Sequence, residues 1–346
     1  MKLFLKILML PVAVLCALCL MAVEDRARAL NGGGGEGIST GRVLGVHIAS
    51  GMPVTRKFKS AEQVIGWINN YQDNPDPELV PDAIRTLDKY RIFEDLDQAG
   101  LYIGFLAGVL GDNQILARHL ITRLFPMNPK SQAVIITAIA YSGLPEWRLL
   151  LTDFAERMPQ RTVLIDKFLF GSNKPLQDAP LDQSPDMIDA LWGFYIATGS
   201  LQPVGKILQA LRWTTDTDNT DHFALGHMAK WSLVANAERD RPLLRFYRTQ
   251  LAGQPEEIAK PLKEVIHSAE RFEAARVKKT VVAAIAAQKR SKPGKYSKWA
   301  WPAKAGETLL AVGCVTATAL GQSGLAAPCI VTGAIYSGVR KMMFEK

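Results

Sequence analysis

The stretch DMIDALWGFYIATGSLQPVGKILQALRW, residues 186–213, decides the fold class. Apolar residues recur at i, i+3, i+4 and i+7 in both halves, which is the spacing of one face of an α-helix. The two apolar sets are Ile188, Leu191, Trp192 and Tyr195, followed by Val204, Ile207, Leu208 and Leu211. The stretch therefore predicts two helices that pack against each other as a pair.

Residues that begin and end helices stand at suitable places in this stretch. Ser184 is a candidate N-cap, with Pro185 at the first helical position, and Pro203 lies near the start of the second helix. Gly199 can end the first helix in the left-handed conformation, which glycine adopts without strain. We therefore expect a helix, a tight turn and a second helix.

Residues 60–290 continue the helical periodicity, and few runs alternate as a strand would. Ser60 opens a capping box with Gln63 at its third following position. Further helices are predicted at residues 79–90, 101–110, 115–125, 133–141, 147–158, 163–170, 222–237, 242–251 and, as one long helix, 262–290.

Glycines that could end helices recur at intervals typical of two-helix repeats. They are Gly111, Gly143, Gly171 and Gly199, with Gly253 later, and the first three intervals are 32, 28 and 28 residues. We predict an all-α fold: an α-solenoid-like array of antiparallel helix pairs over residues 60–290. A hydrophobic, Gly/Ala-rich helical hairpin is expected at the C-terminus.

The N-terminus is typical of an export signal. Lys2 and Lys6 precede an apolar run at residues 7–22, and Ala27-Arg28-Ala29 offers a cleavage site. Residues 1–29 are therefore predicted to be a signal peptide, or a signal anchor if cleavage does not occur. Residues 30–59, which include NGGGGEG, are predicted to be a flexible linker.

The C-terminal segment, residues 309–346, contains an uncharged run of 31 residues at 309–339. The run is interrupted by GQSG at 321–324 and by Pro328, so a broken membrane span, a hairpin of two short helices and a soluble pair docked on the body all remain open. Cys314 and Cys329 could form a disulfide across the turn, or remain two buried thiols.

The preceding segment, residues 291–308, combines aromatic and basic side chains as bilayer interfaces do. The candidate membrane-interface residues are Lys292, Lys295, Tyr296, Lys298, Trp299, Trp301 and Lys304. Residues 276–304 carry nine basic side chains and no acid, while the net charge of the whole chain is only +8. The aromatics adjoin an apolar run instead of alternating with the basic residues, so we expect lipid and not nucleic acid as the partner here.

No residue set in the sequence identifies a reaction. His222 and His227 lie five residues apart, which places them on different faces of a helix, and Asp221 is more simply a helix cap. Acidic clusters at residues 94–97 and 178–186 lack the aromatic surroundings of a glycosidase site. We predict no catalytic residue, no metal site and no cofactor.

Two segments, WSLVANA at residues 231–237 and WGFYIATG at residues 192–199, resemble stretches in uncharacterised helical proteins of bacteria. The resemblance covers about a third of the chain and is of the TPR/HEAT-like α-solenoid kind. It implies an exported or membrane-associated helical protein, and it carries over no catalytic residues.

Together these patterns predict a non-enzymatic helical scaffold in the bacterial cell envelope. We expect it in the periplasm, associated with the cytoplasmic membrane through its C-terminal segment, with an unknown protein partner bound on the helical array. The alternatives are a carbohydrate-active enzyme in a helical toroid and an exported effector that inserts into a target membrane.

Overall fold

The structure is a computed structural model that describes residues 58–94, 96, 99–184 and 186–291. These residues form thirteen α-helices and contain no β-strand, which confirms the all-α class for this part of the chain. The helices are α1 (Ala61–Asn69), α2 (Val80–Lys89), α3 (Gly100–Asp112), α4 (Ala117–Leu124), α5 (Gln132–Tyr141), α6 (Trp147–Ala155), α7 (Thr162–Phe170), α8 (Met187–Thr198), α9 (Gln202–Gln209), α10 (Thr220–Ala237), α11 (Arg241–Leu251), α12 (Glu256–Glu270) and α13 (Ala274–Ser291).

Three apolar helices, α3, α5 and α8, form the centre of the core. Every residue of α3 from Gly100 to Leu110 is buried, and so is every residue of α8 from Met187 to Ala197. Such helices are apolar on all faces because each face meets another part of the protein. The stripe predicted for α8 is therefore only part of its buried surface.

Helices α3 and α8 make the most extensive helix–helix contact described in the structure. Small residues allow their backbones to touch: a Cβ atom added to Gly104 would lie 1.8 Å from the carbonyl oxygen of Ala190. In the reverse direction, a Cβ on Gly193 would lie 2.0 Å from the carbonyl oxygen of Leu101. Only glycine fits at these two positions, because the neighbouring atoms belong to helical backbone and cannot rotate away.

Helix α10 is the centre of the second half of the core. It packs against the 3-10 helix Ala210–Thr215 and against α12 and α13. The indole Nε1 of Trp192 on α8 donates a hydrogen bond of 3.1 Å to the hydroxyl of Ser232 on α10, so the two halves also share a buried polar contact.

Most predicted helix boundaries lie within a few residues of the observed ones, and the predicted caps give mixed results. Gly199 ends α8 with φ 68°, and Ser60 accepts a hydrogen bond from the backbone N–H of Gln63, as predicted. Ser184 is not the N-cap of α8, because the helix begins at Met187 with Asp186 before it. Gly111 does not end a helix; it lies inside α3, and its missing side chain leaves room for the backbone after α5.

The single long helix predicted at residues 262–290 is wrong. The structure has α12 and α13 with a sharp break between them. The N–H of Phe272 donates to the carbonyl of Ala269 at 3.2 Å, and the N–H of Glu273 donates to that of Ser268 at 3.0 Å. This is the Schellman arrangement that terminates helices, with Phe272 where glycine is usual.

Lys206 on α9 fastens the long loop that precedes α8. Its ammonium group donates hydrogen bonds to the backbone carbonyls of Leu176 at 3.2 Å, Gln177 at 2.7 Å and Ala179. Burial lowers the pKa of Lys206, and the carbonyl oxygens replace part of the hydration that the ammonium group loses. One ammonium group therefore provides hydrogen-bond donors to three backbone carbonyls of a loop.

Candidate functional site

A groove of about 620 Å³ between α10 and α13 is the most apolar concave surface described. Trp231 and Ala235 of α10 and Val282 of α13 line it. Trp231 is only 5% exposed, so it forms the floor of the groove and does not project into solvent. Grooves of this composition are typical of surfaces that receive an apolar or amphipathic partner.

Phe272 lies at one edge of this groove and is 74% exposed. Its φ of 55° lies in the left-handed region, which is strained for a residue with a side chain. Phe272 lies within the single long helix predicted at residues 262–290, and that prediction is wrong because the residue follows the end of α12. The phase shift in the apolar pattern after residue 272 was the signal of the break.

Basic side chains form the rim of the groove. The Nζ atom of Lys278 lies 5.6 Å from the centroid of the Trp231 ring, and burial lowers the pKa of Lys278. Lys279 and Arg239 are exposed beside it. The carboxylate of Glu238 accepts a hydrogen bond from the backbone N–H of Ala274, the first residue of α13.

A second apolar groove, of about 470 Å³, lies between the start of α4 and α6. Ile115 and Leu149 line it, and they are 97% and 62% exposed. Arg118 at its edge forms an ion pair with Asp153. Two large apolar side chains exposed in one groove are unusual in a surface that meets only water.

A polar cleft of about 410 Å³ lies where the end of α8 meets the start of α11. The hydroxyl of Tyr195 donates a hydrogen bond of 2.9 Å to Asp240, and the side-chain amide of Gln72 donates one of 2.6 Å to the carbonyl of Tyr195. Burial, with Asp240 adding to it, raises the pKa of Tyr195. Asp240 also caps α11 by accepting from the N–H of Leu243, so both described roles of its carboxylate are structural.

His222 is placed between two carboxylates. Its Nδ1 lies 2.9 Å from Asp216, its Nε2 lies 3.6 Å from Asp182, and its ring stacks on Trp213 with 4.4 Å between the centroids. The sequence analysis favoured Asp221 as a helix cap, which is a wrong assignment. Asn219 caps α10 instead, by accepting from the N–H groups of Asp221 and His222.

His227 points elsewhere, as the five-residue spacing predicts. Burial lowers its pKa from 6.5 to about 4, and its Nδ1 atom has no hydrogen-bond partner among the described residues. No group of three or more His, Cys, Asp or Glu side chains in the described ranges has an arrangement that could hold a metal ion.

Several predicted features lie outside the described residues. They are the export signal at 1–29, the linker up to residue 57, the membrane-interface residues from Lys292 to Lys304, the cysteines Cys314 and Cys329, and the apolar run at 309–339. Among the helices that the structure describes, none is both long enough and apolar enough to cross a bilayer.

Comparisons with models of protein families, with curated proteins and with solved structures found no match for the chain. The resemblance to exported helical proteins of bacteria therefore stays a prediction.

Proposed function

We propose that this protein is a non-enzymatic, exported helical scaffold that binds other proteins at the bacterial cell envelope. It is held at the cytoplasmic membrane by its terminal apolar segments and presents the helical body in the periplasm. The export pattern at residues 1–29 and the apolar run at 309–339 support this location. The helical body supports the binding role because it carries concave apolar surfaces.

The proposal includes an α-solenoid-like arrangement of the helices, followed by the C-terminal hydrophobic hairpin. Successive helices pack against each other in several places, including α5 with α6, α6 with α7, α8 with α9 and α11 with α12. Contacts between sequence neighbours are the property that defines such arrays. The extensive α3–α8 contact joins helices that α4, α5, α6 and α7 separate in the sequence, so it departs from that pattern.

The observation that carries the binding role is the groove that holds Ile115 and Leu149. Both side chains are exposed, and a partner that covered them would remove apolar surface from water. Interface energy concentrates in a few well-packed side chains near the centre of the contact, while charged groups at the edge set orientation. The ion pair between Arg118 and Asp153 is suited to this edge role.

Site-specific photocrosslinking in intact bacteria tests the binding role. The photoreactive residue benzoylphenylalanine replaces Leu149 in the full chain, and the matched control places it at Phe170, which is 84% exposed but does not line the groove. We expect discrete crosslinked proteins from position 149 only. The additional substitution Ile115→Asp should abolish them, because it places a charge in the groove at a fully exposed position.

Equal crosslinking from both positions, or none from position 149, would contradict the scaffold proposal. Protease protection of the same cells tests the location separately. We expect the body to be digested once the outer envelope is opened by osmotic shock. A body that is digested only after the cytoplasmic membrane is broken would refute export.

A further inference from the structure

We infer that the groove between α10 and α13 rests on the surface of an anionic lipid bilayer. This inference deepens the proposed membrane location, on which it rests, because it gives the helical body its own lipid contact. In the sequence, the predicted interface at residues 292–304 follows α13, the helix whose Lys278, Lys279 and Val282 line the groove.

The apolar part of the groove suits the boundary between headgroups and acyl chains. Phe272 projects at its edge, and Trp231 and Val282 line its interior. An exposed phenylalanine is favourable at this depth because its apolar ring leaves water for the boundary between headgroups and acyl chains. Phe272 is available for such insertion, since three quarters of its side-chain surface meets no other part of the described protein.

The backbone at Phe272 supports a role for its side chain. Helices α5 and α8 are followed or ended by Gly143 and Gly199 at φ values of 75° and 68°, where glycine has no strain. Helix α12 ends at the same kind of position with phenylalanine. Strained backbone of this kind is concentrated at functional sites.

The charge around the groove favours an anionic occupant. Lys278, Lys279 and Arg239 stand at the rim, and among the described residues Glu238 is the one acidic side chain that lines this groove. Basic residues near a membrane are attracted by the negative surface potential of anionic lipids. A second copy of the chain would bring its own lysines against these, which is unfavourable.

The neighbouring sequence favours a bilayer over an acidic protein. From residue 292 onward, four lysines and the aromatic residues Tyr296, Trp299 and Trp301 stand together just before an uncharged, apolar run of 31 residues. An acidic protein partner would account for the lysines alone. A bilayer interface accounts for the lysines, the aromatic residues and the apolar run together.

A fluorescent label in the groove tests the inference in the full chain. The four cysteines, Cys16, Cys19, Cys314 and Cys329, are replaced by serine, and one new cysteine carries an environment-sensitive dye. Ala283→Cys places the dye in the groove. Ala252→Cys is the matched control, because it lies before the start of α12 whereas Phe272 follows its end, about 22 Å along the helix.

Vesicles of phosphatidylglycerol and phosphatidylcholine in equal parts, or of phosphatidylcholine alone, carry nitroxide-labelled lipids that quench the dye on contact. We expect quenching at position 283 and not at position 252, and only with phosphatidylglycerol present. Because the measurement is local, attachment through the terminal segments does not produce this difference. Lys278→Gln and Lys279→Gln should each lower the ratio of lipid-bound to unbound chains, measured by quenching at position 283, by about fivefold.

Phe272→Gly provides a variant that keeps the fold, since glycine relieves the strained backbone while removing the ring. Its control is Arg91→Gly, at a second described residue that has a side chain and a left-handed backbone (φ 61°). We expect Phe272→Gly to weaken the quenching at position 283 and Arg91→Gly to leave it unchanged.

Equal quenching at positions 283 and 252 in vesicles that carry the chain would overturn the inference. Equal quenching at position 283 with phosphatidylcholine alone would overturn the anionic assignment. Energy transfer between position-283 dyes on separate chains without lipid would assign the groove to a second copy. If protease protection places the body in the cytoplasm while lipid quenching persists, the proposed location fails and the groove's lipid contact stands.

Discussion

Replacing Gly104 with alanine should push α3 and α8 apart and lower the free energy of unfolding. The added Cβ would lie 1.8 Å from the carbonyl oxygen of Ala190, whereas ordinary contact begins at 3.4 Å. The helices would therefore have to separate locally by about 1.6 Å, the difference between these two distances. Neither helix can yield by a rotamer change, since the obstructing atom is backbone.

The expected net effect is about 2 kcal/mol of destabilisation. Overpacking of a core costs about 3 kcal/mol when the surroundings cannot relax. The higher helix propensity of alanine returns about 1 kcal/mol. For a folded body of this size, a loss of about 2 kcal/mol lowers Tm by about 4–8 °C. Gly193→Ala should behave in the same way, because its Cβ would meet the carbonyl of Leu101 at 2.0 Å.

The control is Gly66→Ala in α1. Nothing lies within 4 Å of a Cβ at this helical position, so the variant should be neutral or more stable by up to about 1 kcal/mol. Thermal unfolding of the full chain in mild detergent, followed by far-ultraviolet circular dichroism, compares the variants. If Gly104→Ala melts at or above the temperature of Gly66→Ala, the close packing of α3 on α8 is refuted.

Three further measurements follow from the structure. Lys206→Met should lower the free energy of unfolding in urea by about 2 kcal/mol and speed proteolysis within residues 171–186, because three carbonyls lose a charged donor; unchanged proteolysis would refute the role of Lys206. Tyr195→Phe should cost about 1 kcal/mol through the lost hydrogen bond to Asp240, and a neutral result would mean that the bond adds nothing. The pKa of His227 is about 4 in the folded protein, against 6.5 for an unperturbed histidine. Between these two values the folded state binds fewer protons than the unfolded state. The free energy of unfolding should therefore fall by at most about 3 kcal/mol as the pH drops from 6.5 towards 4. His227→Gln should remove that part of the pH dependence, and an unaltered slope would exclude His227 as its source.

The amphipathic helices were predictable from the sequence. The apolar stripe of α9, with Val204, Ile207 and Leu208 buried, follows from a spacing that repeats within a few turns. The αL residue at Gly199 was predictable because glycine is the residue that adopts this conformation without strain. At Phe272 the same reasoning failed, since a phenylalanine gives no local sign of a left-handed backbone.

The candidate surfaces were only partly predictable. The run of basic residues that includes Lys278 and Lys279 pointed to an anionic partner, but which apolar side chains it would accompany depended on how α13 packs on α10. Trp231 of α10 is distant in sequence from that run, and its position below Lys278 has no sequence signature. Likewise, the pairing of His222 with Asp216 and Asp182 arises from loops that meet only in the folded chain.

The sequence alone determined the all-α class, most of the helix boundaries and the contrast between a balanced body and a basic C-terminal stretch. These are local properties, since helix periodicity and charge density are set by residues a few positions apart. The tertiary structure alone decided that α3 packs on α8, that Phe272 is exposed and that a groove forms above Trp231. Those features depend on contacts between segments tens of residues apart. The free energy of such a contact depends on the residues of both segments, so neither segment predicts it by its own pattern.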